Sequence, residues 1–164
     1  MGAWGVCFTY GTWFGVWGLR AAGRGEAGNR LQRAAAFLCG KQLGDGGWAE
    51  TVENCRAGRY LALSPPSHPV KTAWAVLALT RCGRGFEGAV EAGLRFLLDA
   101  QAEDGSWPEE PLNGVFNRTC AIRYDNYRRI FPVWAIAEGL SYLERGAGEA
   151  EKPPRRLSQE QIGL

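Results

Sequence analysis

The chain is poor in the residues from which most active centres are built. Its 164 residues hold one histidine, His68, and one methionine. A zinc site built on histidine needs several such ligands, so none is expected. Nineteen basic residues nearly balance seventeen acidic ones, and no long block of one sign occurs. Little is therefore available to neutralise a row of phosphates, and no nucleic-acid partner is expected. No apolar stretch reaches the roughly 18 residues of a spanning helix. The start, Met1-Gly2-Ala3-Trp4, lacks the basic region of a signal peptide. Attachment to one membrane leaflet stays open. The five cysteines, Cys7, Cys39, Cys55, Cys82 and Cys120, are odd in number and contain no CxxC. Reduced, mostly buried thiols fit this pattern better than a disulfide framework or a zinc ribbon.

Glycine and tryptophan are abundant instead. Glycine appears 23 times, twice its usual share of about 7%, and tryptophan seven times. With 46% apolar residues, most of the chain can build a core. The sequence also repeats. Phe37-Leu38-Cys39-Gly40-Lys41-Gln42-Leu43-Gly44-Asp45-Gly46-Gly47-Trp48 returns as Phe96-Leu97-Leu98-Asp99-Ala100-Gln101-Ala102-Glu103-Asp104-Gly105-Ser106-Trp107, 59 residues later. An aromatic and small-residue pattern interleaves with it around Trp13, Trp74 and Trp134.

These patterns predict helices over roughly 11–23, 30–41, 70–82, 88–100 and 130–143. The class at 30 and 88 is amphipathic, with Leu31, Ala34, Ala35 and Leu38 on one side. The class at 11, 70 and 130 is apolar nearly all round, as in a helix covered on both sides, and Trp13, Trp17, Trp74 and Trp134 mark it. Gly23 and Gly83 suit left-handed helix ends. The Asp45-Gly46 and Asp104-Gly105 steps suit tight turns. Alternating inner and outer helices describe an all-α fold, part of an α/α-toroid. Residues 1–143 form that part, and 144–164, without an aromatic residue, read as a disordered tail.

At this point the residues resemble a family. Gln42-xx-Asp45-Gly46-Gly47-Trp48 and Gln101-xx-Asp104-Gly105-Ser106-Trp107 look like the QW motifs of triterpene cyclases. Trp4-Gly5-Val6-Cys7-Phe8-Thr9-Tyr10-Gly11-Thr12-Trp13 is similar to an oxidosqualene cyclase signature. Gly114-Val115-Phe116-Asn117, followed by Tyr124, Tyr127-Arg128 and Ile130-Phe131-Pro132-Val133-Trp134-Ala135, resembles the family's last stretch. The resemblance covers residues 3 to about 143. Cys120-Ala121-Ile122 leans towards the lanosterol-forming animal members.

The resemblance implies a C-terminal part of a cyclase that converts (S)-2,3-oxidosqualene to lanosterol. A buried acid starts a cascade of carbocations. Aromatic faces can steady each cation by roughly 0.5–2 kcal/mol without trapping it. It further implies that Trp4, Phe116 and Tyr124 line the cavity, with Tyr10, Phe8 and Trp13 as lesser candidates. The QW residues Gln42, Asp45, Gly46, Trp48, Gln101, Asp104, Gly105 and Trp107 would tie outer helices. The acid of the family's DCTAE motif does not occur in this sequence, so the chain alone is expected to be inactive, with no catalytic residue of its own. No metal or organic cofactor is implied. The implied partners are the substrate, the rest of the cyclase polypeptide and a membrane surface, at the endoplasmic reticulum or a lipid droplet. A squalene–hopene or cycloartenol-type cyclase, and a non-catalytic toroid segment binding lipid or protein, are the alternatives. Prenyltransferase β subunits share the toroid, but their zinc needs Asp, Cys and His together.

Plainer readings stand beside these. Trp4 and Phe116 could be packing residues, since aromatics bury 150–250 Å² without needing a ligand. Asp45, Glu50, Asp104 and Glu109 are read as structural and not as acid pairs. His68, in the loop Pro65-Pro66-Ser67-His68-Pro69, is expected to face solvent. Cys7 reads as a small buried hydrophobe, and the Asn117-Arg118-Thr119 sequon as chance. Arg123, beside Tyr124, is expected to point outward. Exposed apolar surface is expected near residues 1–25 and 130–143.

Overall fold

Two kinds of helix alternate along the chain and set its layers. A computed structural model describes residues 4–23, 27–61, 66–109, 112–116 and 120–145. The elements are α1 (Phe8–Ala21), α2 (Ala27–Cys39), α3 (Val52–Ala57), α4 (Pro69–Leu79), α5 (Glu87–Asp99), β1 (Gly114–Phe116), β2 (Cys120–Ile122) and α6 (Asp125–Glu144). The fold is all-α apart from the small antiparallel β1–β2 pair.

Helix α4 is the centre. Every one of its residues is buried, because α1 and α6 flank it and α2 and α5 pack across the same side chains. A fully buried Leu or Val contributes about 1.5–3 kcal/mol, so this segment carries much of the core. Pro69 starts the helix where a missing N–H costs nothing. Helices α1, α4 and α6 form one layer, and α2 and α5 cover the grooves between them. On α2, Leu31, Ala35 and Leu38 face inward, as their spacing predicts.

The inner helices are also clasped near their ends. The Arg81 guanidinium lies over the Trp17 ring, 4.7 Å from its centroid, and pairs with Glu138 of α6 at 2.8 Å. Arg20 Nε donates to the Arg81 carbonyl at 2.6 Å. At the two sides of the arc, Phe14 on α1 and Ile130, Val133 and Leu140 on α6 are exposed. These are the regions where open apolar surface is expected.

Three features depart from the sequence reading. Helix α6 starts at Asp125 and runs through Pro132, five residues earlier than the apolar pattern indicates. Asp125 in its first turn accepts from Arg128 at 2.7 Å and pairs with Arg129 at 3.1 Å, which supports the turns ahead of the proline. The short α3 and the β1–β2 pair carry too few residues for a periodic pattern. His68 is buried, only 5% exposed: its N–H donates to Trp48 O at 2.9 Å and its carbonyl accepts from Thr72 N at 2.9 Å. That places it at the start of α4 against the first QW turn. Cys7, Cys55 and Cys82 are buried thiols, and Cys39 and Cys120 are exposed. The sequon and the tail from residue 146 lie outside the described residues.

Candidate functional site

Four of the residues singled out by resemblance meet around one backbone bridge. Gly5 faces Gly114 in an isolated antiparallel pairing. Val6 N donates to Asn113 O at 3.0 Å, and Val115 N donates to Trp4 O at 2.9 Å. The segment before α1 therefore extends the β1–β2 sheet by one short run. Neither glycine has room for a side chain. A Cβ on Gly5 would collide with the Tyr10 ring, and one on Gly114 with the Tyr124 ring. Trp4 and Phe116 complete the group, with ring centroids 5.1 Å apart and a tilt of 33°. They are 49% and 41% exposed, whereas Tyr10 is buried.

From this bridge a continuous wall of rings runs along the inner helices. Tyr124 stacks on Tyr127 at 4.7 Å, Tyr127 meets Phe131 at 5.1 Å, and Phe131 stacks on Trp134 at 6.2 Å. Trp134 touches Trp17 at 5.2 Å. Trp13 lies nearly parallel to Trp74 at 6.5 Å, and Tyr10 meets both Trp74 at 5.0 Å and Phe14 at 4.7 Å. Tyr10, Trp13, Phe14 and Trp17 share one side of α1, since helical residues three, four and seven apart lie together. Phe14, Tyr127 and Phe131 are absent from the expected site. That spacing was the signal that could have found them.

The wall is aromatic, and two of its phenols, Tyr10 and Tyr127, are made harder to ionise. Burial, followed by the neighbouring Tyr127 and Tyr124 phenols, pushes Tyr10 up to about 12. Burial, with Tyr124 beside it, also raises Tyr127. The indole N–H groups of Trp13 and Trp74 are buried among rings and find no hydrogen-bond acceptor among the described residues. Such a surface offers ring faces, which attract a cation through their quadrupole. Cys7 brings no nucleophile, because hydrogen bonding with Cys55, and then burial, push its thiol up.

Two buried polar side chains hold this geometry. Glu50 accepts from Phe8 N at 2.7 Å, Thr9 N at 3.1 Å and Thr9 Oγ1 at 3.0 Å. Cys7 makes no side-chain cap, so this carboxylate satisfies the open N–H groups at the start of α1. Asn113 Oδ1 accepts from Tyr124 N at 2.9 Å, while its Nδ2 donates to Tyr124 O at 3.3 Å. Arg123 points away and pairs with exposed Glu109 at 3.3 Å.

The QW residues form ties outside the wall. Gln42 Nε2 donates to Gly46 O at 2.9 Å and to Ala89 O of α5 at 2.9 Å. Asp45 Oδ1 accepts from Gly47 N at 3.0 Å and Ser67 Oγ at 2.7 Å. Trp48 Nε1 donates to Leu38 O at 2.8 Å. In the second motif, Gln101 Nε2 donates to Gly105 O at 2.8 Å, Asp104 Oδ1 accepts from Ser106 N at 2.9 Å, and Trp107 Nε1 donates to Leu97 O at 2.8 Å. Gly46 and Gly105 both take positive φ, +85° and +80°. The Ser106 hydroxyl and N–H hold Asp104 below the usual carboxylate range. A cavity of about 330 Å³ lies between the segments that follow the two motifs, lined by Glu50, His68, Pro108 and Leu112 among others and, among the described residues, by no Phe, Tyr or Trp. Among the described residues, no three His, Cys, Asp or Glu gather as metal ligands, and no helix is long and apolar enough to cross a membrane.

Known proteins are similar to this sequence. The squalene-hopene cyclase C-terminal domain family matches residues 1–141. Human lanosterol synthase is 45% identical over 139 residues, which are 82% of this chain and 19% of that protein. Cycloartenol synthase of Dictyostelium discoideum is 41% identical over 137 residues, 84% of this chain and 19% of its own length. Lanosterol synthase of Saccharomyces cerevisiae is 37% identical over 136 residues, 82% of this chain and 18% of its own. The chain thus spans about a fifth of the length of the relatives it matches.

Proposed function

The chain belongs to the squalene-hopene cyclase C-terminal domain family, and on that footing we propose that it supplies the C-terminal aromatic wall of an oxidosqualene cyclase forming lanosterol. The observation that carries this is the meeting of Trp4, Phe116, Tyr10 and Tyr124 around the Gly5–Gly114 bridge.

The chemistry assigned to these residues is positional and electrostatic. An acid outside this sequence protonates the epoxide of 2,3-oxidosqualene. Trp4 and Phe116 then present ring faces to the carbocations that follow, and Tyr124 and Tyr10 border the same space. Rings set in advance need no rearrangement as charge moves, which is how a preorganised site lowers barriers. Neutral phenols and indoles also leave a cation no carboxylate to trap it as an ester. The QW turns hold the outer helices behind this wall. The rest of the cyclase polypeptide would cover Phe14 on one side and Ile130, Val133 and Leu140 on the other. Residues 1–143 are the cyclase part in this reading and 144–164 a tail. Residence at the endoplasmic reticulum membrane or a lipid droplet, by attachment to one leaflet, rests on the family resemblance alone.

A chimera tests the reading. Residues 1–141 replace the matching segment of human lanosterol synthase, and sterol products are followed by mass spectrometry. Lanosterol is expected from the chimera. Trp4→Ala and Phe116→Ala are each expected to lower the rate by about tenfold or more, equivalent to about 1.4 kcal/mol of cation stabilisation, and to divert products towards incompletely rearranged alcohols. A folded chimera that forms lanosterol equally well with both alanines would overturn it.

A further inference from the structure

Asn113 lies outside every residue discussed so far as facing the substrate, yet its hydrogen bonds among the described residues end on the segments that do. Its carbonyl accepts from Val6 N at 3.0 Å, two residues from Trp4. Its side-chain oxygen accepts from Tyr124 N at 2.9 Å, and its side-chain nitrogen donates to Tyr124 O at 3.3 Å. The next residue, Gly114, bridges to Gly5, and a Cβ there would collide with the Tyr124 ring and crowd the Trp4 carbonyl. Phe116 follows two residues later on the same strand. The side chain is buried, 2% exposed, so water does not compete for these bonds.

From this we infer that Asn113 is the positioning residue that sets Trp4, Phe116 and Tyr124 in one frame, acting through paired hydrogen bonds to the Tyr124 backbone. The inference rests on the function proposed above, since it concerns the same rings. An asparagine amide presents one acceptor and one donor side by side, like a peptide group of a neighbouring strand. Tyr124 is the residue before α6 and has no side-chain cap of its own. The amide thus fixes where that helix begins and where the Tyr124 ring leaves the backbone. Aspartate has the same shape but, ionised, sets a second oxygen against the Tyr124 carbonyl. Alanine removes both bonds, and glutamine is a methylene too long.

The test uses the full chain with Asn113→Asp, Asn113→Ala and Asn113→Ser. NMR follows the ring-proton shifts of the stacked Tyr124 and Tyr127 and amide exchange at Val6 and Tyr124. At pH 7.5, Asn113→Asp should exchange those amides about tenfold faster than wild type and shift both rings. On acidification the aspartyl group protonates, above its usual value of about 3.9 because it is buried. It regains a donor, and the wild-type shifts should return. Glu109, Arg123 and Asp125, the charged groups flanking this segment, are common to both proteins, so the wild-type curve recorded in parallel removes their share. Asn113→Ala should show a loss without that return. Asn113→Ser, which keeps one short oxygen, should lie between wild type and alanine, and it serves if the aspartate variant does not fold. Wild-type ring shifts and exchange in Asn113→Asp at pH 7.5, or in Asn113→Ser if it is the variant that folds, would overturn the inference.

A second arm separates it from the functional reading. Dodecyltrimethylammonium, below its micelle concentration, serves as a cation with an apolar tail, and tryptophan fluorescence reads its binding. Binding lost in Trp4→Ala and Phe116→Ala supports the aromatic cation site. No binding by the wild-type chain, with the NMR effects intact, counts against that site and leaves the role of Asn113 supported.

Discussion

The two QW turns are built alike and used differently. At 42–48 and at 101–107 the glutamine amide, the aspartate and the indole make the same internal bonds, with lengths differing by about 0.1 Å. The first turn is pressed against α5. A Cβ on Gly46 would lie 2.5 Å from Ala92 O, and Gln42 spends a second donor on Ala89 O. The second turn has no such neighbour among the described residues: a Cβ on Gly105 would meet only the Gln101 amide, at 3.9 Å. The motif is therefore a turn complete in itself, and its grip on the next outer helix is a separate contribution. Comparing the two turns measures that contribution, because the first shows turn plus tie and the second the turn alone.

Gly46→Ala against Gly105→Ala should open the widest gap. Both force a non-glycine residue into the left-handed region at about 1–2 kcal/mol, but Gly46→Ala also drives a methyl into the α5 backbone. Thermal or urea melts should show about 3 kcal/mol or more lost at Gly46 and about 1 kcal/mol at Gly105. Equal losses would mean that the α5 contact contributes nothing. Trp48→Phe and Trp107→Phe probe the part that the turns share. Each leaves a buried carbonyl, Leu38 O or Leu97 O, without its donor and leaves space behind, so each should cost about 2–3 kcal/mol. A difference above about 1 kcal/mol between them would show that the turns are not equivalent inside. The smallest pair is Gln42→Ala and Gln101→Ala, expected at about 1–2 kcal/mol and below about 0.5 kcal/mol, since only the first spans to another helix in shielded surroundings.

The same contrast explains what could be read from the sequence. The helices, the turns and the alternation of layers were legible because they repeat, and a local bond such as Trp48 to Leu38 O recurs wherever its motif recurs. Trp4, Phe116, Tyr10 and Tyr124 were singled out one by one through resemblance. Their meeting was not, since it depends on pairing Gly5 with Gly114 across more than a hundred residues. Glu50 and Asn113 were illegible for a related reason: a carboxylate or amide that serves a distant backbone leaves no local pattern. His68 misled because a proline-rich loop normally faces water, whereas here the first QW turn lies over it. Pro132 misled in the other direction, as a proline near a helix start usually marks the start.

The carboxylate that completes α1 lies 42 residues beyond the first residue of the helix it serves. No acidic residue occurs in the first turn of α1 and Cys7 gives no cap, so those backbone N–H groups have no local side-chain acceptor. Helix α1 therefore owes its capped start to a contact distant in sequence, of the kind whose closure costs chain entropy. One carboxylate thus ties the start of the helix that carries Tyr10 to the segment that follows the first QW turn.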